Sequence, residues 1–316
     1  MVNGLKNVKI KPMKVNAGDR IQTSLEYSGN LKNGFFDNAI INCNNDIVDW
    51  NPDPHTFDRS KYSGVLHDEV NIKSNWNYFI PEWILPGKCI ISVRVYDDID
   101  GTVKTRKIIE RQDINITVNQ SKSDIITFLF ITYNNLFDRN PDQNGLKTWY
   151  NALQIQGVPK SVVIENGFLN SHEYRLRYFY KFINIDEGIN QKLYNEWYDE
   201  LIRYGASDKK PYNLMFNDIK FKSKNLSNKE YCDKIINSFI KIDDTSMTLI
   251  NNLCKERINK IDITLNILDN FRLKKLIIFN KIYSPIISEN NTLKELMNYI
   301  DNLVTFDDLW NKYYIK

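Results

Sequence analysis

The stretch INITVNQSKSDIITFLFITY, residues 114–133, changes its apolar period halfway along. Up to Val118 apolar and polar residues alternate, as along a half-buried strand. After NQSKSD (119–124), the apolar residues Ile125, Phe128, Leu129 and Tyr133 recur at three and four, which puts them on one face of an amphipathic helix. The change of period predicts a chain in two parts, with the boundary at 119–123.

Upstream, IQTSLEY (21–27), NAIINC (38–43), VLHDEVNI (65–72) and CIISVRVY (89–96) read as further strands. Turn chemistry separates them at NAGD (16–19), GNLKNG (29–34), NPDP (51–54), LPG (85–87) and DG (100–101). Asp100–Gly101 suits a type I′ hairpin turn, whose two central residues both take positive φ. Many short strands with regular turns predict an all-β sandwich of immunoglobulin or jelly-roll kind over residues 1–120.

Downstream the helical pattern continues, with Trp149, Leu153 and Gln156 on one face and breaks at 205–211, 222–228 and 284–291. WYNALQIQG (149–157) and WYDELIRYG (197–205) match with a period of 48 residues, and LINNLCKERI (249–258) offers a degenerate third copy. Short helical hairpins cannot bury their apolar faces alone, so repeated copies are expected to stack. The prediction is an all-α helical repeat domain, with two copies in 121–225 and a C-terminal helical extension in 226–316.

The 316 residues are 42% hydrophobic and 13% aromatic, enough for real cores, and the net charge is only +3. That bias is too weak to argue for nucleic acid or an anionic membrane, and KFKSKN (220–225) reads as a solvated linker. No apolar run is long enough to span a membrane. The start, MVNGLKNVKI, has no apolar signal region, which implies a cytoplasmic chain, or a cell-surface one if it is trimmed or exported by another route. Cys43, Cys89, Cys232 and Cys254 include no CxxC pair, and His55, His67 and His172 are scattered, which argues against structural zinc. Cys43 and Cys89 fall in predicted strands and are expected as buried thiols, although they could face each other and pair.

In FDRNPDQNGLKTWYNAL (137–153), Asp138, Asn140, Asp142 and Asn144 alternate like the ligands of a calcium loop. An EF-hand needs glycine at loop position 6 and a glutamate at 12. Counted from Asp138, Gly145 falls at 8 and Trp149 at 12, so a helix start is the better reading. Asp142, after Pro141, can accept the free N–H groups of the first turn. With FLNSHEY (168–174), this run resembles a bacterial helical family of unknown function, number four-two-one-four. Arg139, Pro141, Asp142, Gly145, Leu146, Trp149, Phe168, Ser171, Glu173 and Tyr174 carry the resemblance over residues 124–175. It implies a domain built like phycobilisome linkers and attached to surface-layer proteins, secreted repeat proteins and glycosyltransferases. It implies no catalytic residue, and capping and packing account for the motif.

NYFIPEWILPGKCIISVRVYDDIDG (77–101) reads as a strand, a Leu-Pro-Gly turn, a long strand and an acidic hairpin turn. Through Ile80, Pro81, Leu85, Pro86, Gly87, Val95, Tyr96 and Asp97 it resembles the carbohydrate-binding domain of O-antigen ABC transporter ATPase subunits. That resemblance implies glycan recognition over residues 15–118. Aromatic faces would stack on sugar rings, and carboxylates and amides would hold hydroxyls. Trp50, Asp53, His55, Tyr62, Trp76 and Trp83 are the candidates, although tryptophan in a sandwich usually packs in the core. Asp98 and Asp100 could hold a divalent metal as in glycosyltransferases, or a weak structural calcium. That enzyme fold needs alternating strands and helices before the motif, whereas residues 1–96 read as strands and turns. No nucleophile elbow, zinc-protease motif or phosphate-cradling loop occurs, so neither catalytic residues nor a cofactor are expected. The leading expectation is a non-enzymatic module that recognises bacterial cell-envelope polysaccharide, with protein partners through the helical part. The alternative is an assembly protein of a surface layer, filament or phage-like particle.

Overall fold

The computed structural model describes residues 4–41, 47–55, 57–59, 63–98, 106–183, 191–205, 209–218, 225–255, 258–287 and 289–315. The chain folds into two compact units, one formed by Met1–Thr127 with Asp142–Tyr150, the other by Phe128–Pro141 with Asn151–Lys316.

The first unit holds strands β1 (Gly4–Lys11), β2 (Lys14–Asn16), β3 (Arg20–Ile41), β4 (Ile47–Pro52), β5 (Phe57–Asp58), β6 (Ser63–Gly64), β7 (Leu66–Phe79), β8 (Gly87–Asp98) and β9 (Arg106–Asn119). The 22-residue β3 belongs to two layers. Its first half pairs with β1 and β7, and its second half pairs with β4 and β8, which leads on to β9 and β2. GNLKNG is therefore not a turn between two strands. The strand continues through it, with a register shift at Leu31–Gly34. The backbone N–H groups of Lys32 and Asn33 both donate to Asp97 Oδ1, at 2.9 Å each, which satisfies the kink where the ladder is interrupted. Gly34 and Gly64 are both needed here, because a β-carbon on Gly64 would collide with the backbone of Asn33 and Gly34.

The two layers form the predicted sandwich. In the first half of β3 only Ile21, Thr23, Leu25 and Tyr27 are buried, whereas residues 35–41 are buried on both faces. Contacts between the layers identify the inward sides: Asn38 Nδ2 donates to Thr23 Oγ1 (2.7 Å), Tyr78 Oη donates to Asp49 Oδ2 (2.8 Å), and Tyr27 meets Phe36 edge-on. The β8–β9 pairing gives the expected hairpin, but its Asp100–Gly101 turn lies outside the described residues.

Among the described residues twelve α-helices follow the strands. They are α1 (Asp124–Phe137), α2 (Gln143–Tyr150), α3 (Lys160–Val162), α4 (His172–Ile183), α5 (Gln191–Tyr204) and α6 (Lys210–Asp218). Then come α7 (Asn228–Asn237), α8 (Asp244–Lys255), α9 (Lys260–Asp269), α10 (Phe271–Ile278), α11 (Glu289–Ile300) and α12 (Phe306–Tyr313). The strand-to-helix change falls between Asn119 and Asp124, where the period changes. α2 belongs to the first unit, where Gln143 donates to the Trp83 carbonyl (2.8 Å) and accepts from the Leu85 N–H (3.2 Å). In the second unit Phe128 meets Trp310 edge-on at 5.1 Å, and Arg175 of α4 pairs with Asp269 of α9 at 2.6 Å. Residues 226–315 therefore share a unit with α4. The matched glycines Gly157 and Gly205 both take positive φ (67° and 88°), each after a helical segment that begins or runs through the matched tryptophan. Cys232 of α7 and Cys254 of α8 form a disulfide that the spacing of cysteines did not suggest. Cys89 is buried, and Cys43 lies outside the described residues.

Candidate functional site

Strand register places four residues in a row across the outer face of the larger layer: Trp50 of β4, Ala39 of β3, Ser92 of β8 and Asp113 of β9. The next row is Pro52, Asp37, Arg94 and Arg111. Partners directly opposite in a sheet share a face, and Asp49 and Asn38, one position along, bond inward. Trp50 is 43% exposed at one side of this face, next to small Ala39. Its ring meets Phe57 edge-on at 6.0 Å, and Phe57 packs on Phe35, which stacks on Tyr96 at 4.7 Å.

The charged side of the face is ordered by ion pairs. Arg94 grips Asp37 with two bonds, 2.7 and 2.6 Å, and both side chains are buried. The Arg94 guanidinium also lies 5.3 Å from the Tyr96 ring centre. Arg111 and Asp113, two residues apart and so on one face of β9, form a second bidentate pair at 2.7 Å that stays half exposed. The hydrogen bonds from Arg111 hold the Asp113 carboxyl below its ordinary range, and Asp113 raises Arg111 in turn. The face thus has an exposed ring on β4 and a half-exposed donor–acceptor pair on β9, with the small residues Ala39 and Ser92 buried between them.

The sequence-predicted residues do not gather into one site. Trp76 and Trp83 are buried, at 3% and 9% exposure, and present no face to a ligand. Trp76 points into the sandwich from β7, and Trp83 lies under Lys147, whose Nζ is 4.7 Å from the ring centre. Asp53 is fully buried and is held by the Ser74 hydroxyl and the His55 N–H, so its carboxylate builds the loop after β4. His55 is exposed, and Tyr62 lies outside the described residues. Asp98 ends β8, Asp100 lies outside the described residues, and Asp97 serves the β3 kink. Among the described residues no group of three or more His, Cys, Asp or Glu could hold a metal ion. Reading the sequence missed Arg94, Asp37, Arg111 and Asp113; opposite charges at alternate positions in RQD (111–113) were the available signal.

The 137–174 motif is made of caps and staples. Asp142 Oδ1 accepts the Gly145 N–H at 2.8 Å, and Ser171 Oγ accepts the Tyr174 N–H at 3.1 Å. Arg139 holds Glu173 with two 2.7 Å bonds and lies over the Tyr133 ring. Pro141 and Leu146 are buried, Trp149 is half-buried, and Asp138, with φ of 49°, pairs with Lys181 at 2.7 Å.

Residues 117–178 match the family model for a domain of unknown function, DUF4214. No curated protein matches the chain. Solved structures that resemble part of it include a Niemann-Pick type C2 protein from Japanese carpenter ant, at 13% identity, covering 38% of this chain and 94% of that one, with a TM-score of 0.26. The sporulation control protein Spo0M from Bacillus subtilis is similar at 12% identity, over 43% of this chain and 56% of that one, with a TM-score of 0.26. A beta-glucuronidase from glycoside hydrolase family 2 is similar at 10% identity, over 36% of this chain and 11% of that one, with a TM-score of 0.22. At these scores the likenesses carry no functional information.

Proposed function

We propose that the protein is a non-enzymatic glycan-recognising module that works with bacterial cell-envelope polysaccharide. The observation that carries this reading is Trp50, a tryptophan 43% exposed on a sheet face, with the Arg111–Asp113 pair on the same face. An exposed indole costs solvation unless something covers it, and its flat apolar face suits the C–H side of a sugar ring. The Cys232–Cys254 disulfide supports a chain that works outside the reducing cytosol. No helix among the described residues is long and apolar enough to cross a membrane.

The test is binding of the full chain to a bacterial glycan array, with Trp50→Ala alongside. The full chain is needed because α2 supplies Gln143 to the first unit, and a cut at residue 120 would remove it. The expected result is selective binding that Trp50→Ala weakens by roughly tenfold or more, about 1.4 kcal/mol. A folded protein that binds no glycan, or binds equally well without Trp50, would overturn the reading. The second reading, an assembly protein, draws on Leu293 and Met297, which are both 45% exposed and one turn apart on α11. Concentration-dependent oligomers that disappear in Leu293→Glu/Met297→Glu would favour it.

A further inference from the structure

We infer that the outer face of the smaller sheet is a second binding surface, on the opposite layer from Trp50, and that it takes an anionic polysaccharide. The register puts Lys9 beside Ser24 and Asn75, Lys11 beside Gln22 and Asn77, and Lys6 beside Glu26 and Lys73. One step further along, Arg20 lies opposite Phe79, and at the other end Asn30 lies opposite Glu69. Five cations, Lys6, Lys9, Lys11, Arg20 and Lys73, therefore share this face with two carboxylates, Glu26 and Glu69. The face therefore carries more cations than carboxylates.

A solvated sheet face is normally polar, so polarity alone implies no ligand. Four further features distinguish this one. The register shift between Lys6 and Lys9 bulges β1 at Asn7, whose φ is 51°, and a cleft of about 360 Å³ opens over Ser24 between Lys9 and Asn75. Glu26, on the cleft wall, is held by Asn7 Nδ2 and Lys73 Nζ at 2.7 Å each, so its charge is already matched within the protein. Among the described residues Lys11 and Arg20 make no ion pair, and they flank the cleft on the side away from Glu26. Phe79, 64% exposed, supplies one apolar ring beside Arg20.

The chemistry of the face selects the ligand. Unmatched cations at strand spacing favour a repeating anion. Asn75, Asn77 and Gln22 between them both donate and accept, which suits hydroxyls. A single-stranded nucleic acid would call for several stacking rings along the groove, and among the described residues this face has only Phe79. The surface needs neither Trp50 nor the first face, so the two readings stand or fall separately.

The test is binding of the full chain to polygalacturonate at low and at physiological salt, with dextran as a neutral polymer and oligothymidylate as a non-glycan polyanion. The expected result is polygalacturonate binding that weakens as salt rises. Lys9→Ala/Lys11→Ala/Arg20→Ala should lose roughly tenfold or more in affinity, with an unchanged melting temperature. The inference is overturned if no binding occurs at low salt or if the triple variant binds normally. Equal binding of dextran would also overturn it, because charge would then play no part. Equal binding of oligothymidylate would do the same, because the face would then accept any polyanion.

Discussion

Arg94 and Asp37 illustrate what a single buried residue can be asked to do. Both are buried, at 5% and 1% side-chain exposure, and each satisfies the other through two hydrogen bonds. Charges removed from water cost several kcal/mol each, and good geometry between them offsets that cost. Arg94→Met would leave the Asp37 carboxylate buried beside an apolar chain. The expected loss is about 3–5 kcal/mol in urea unfolding, and Asp37→Leu/Arg94→Met should recover most of it. A single variant that costs under about 1 kcal/mol would mean that water reaches the pair. This residue scale is where the sequence was least legible. Trp50, just before NPDP, was expected to be partly exposed at a strand end; it is exposed, although β4 runs on through Pro52. Asp37 and Arg94 lie 57 residues apart, and only the β3–β8 register brings them opposite each other. Trp76 and Trp83 carried no such mark, because alternation shows which residues share a face but not which face is covered.

Elements were easier to read, and the errors among them have one cause. Turn-rich letters mark places where the ladder is interrupted, not whether the chain reverses there. GNLKNG holds two glycines and two asparagines, yet β3 runs through it because Asp97 satisfies the two free N–H groups. The helix start read at Asp142 is marked locally, since a cap is a bond between residues three apart, as Asp142 makes with Gly145. Ser227 with Glu230, and Thr305 with Asp308, form reciprocal capping boxes at α7 and α12. In each, the capping residue's backbone N–H and then its hydroxyl bond the carboxylate and hold it below its ordinary pKa. The sign follows from linkage. A carboxylate whose folded pKa is depressed adds stability that is complete above the unfolded value, about 4. That stability is lost as pH falls through the lower folded value. Melting temperatures of the parent should therefore drop more steeply below roughly pH 4 than those of Glu230→Gln/Asp308→Asn. Parallel curves for the two proteins would show that these caps hold no proton-linked stability.

For the whole molecule, the change of period at 119–124 located the switch from strands to helices but not the division into units. Helical periodicity identifies α2 as a helix and says nothing about its partner, and its Gln143 serves the backbone of Trp83 and Leu85 in the first unit. The same limit applies to the cysteines. Cys43 and Cys89 attracted attention because predicted strands could bring them together; Cys43 lies outside the described residues, and among those described Cys232 and Cys254 form a pair across α7 and α8. A link between residues 22 apart removes chain entropy from the unfolded state, worth about 3 kcal/mol on the loop-length relation. Two measurements test it together. A digest of protein made in an oxidising compartment, prepared without reductant, should yield the Cys232 and Cys254 peptides joined and separate them on reduction. Reductant should also lower the unfolding free energy of the parent by about that amount and leave Cys232→Ser/Cys254→Ser unmoved. If the peptides run separately, the two sulfurs are only packed neighbours, and the argument that the chain works outside the reducing cytosol goes with them. If they run joined but reductant changes nothing, the bond forms without stabilising the fold. It would then still mark the compartment, while the helical unit would owe its stability to its aromatic core alone.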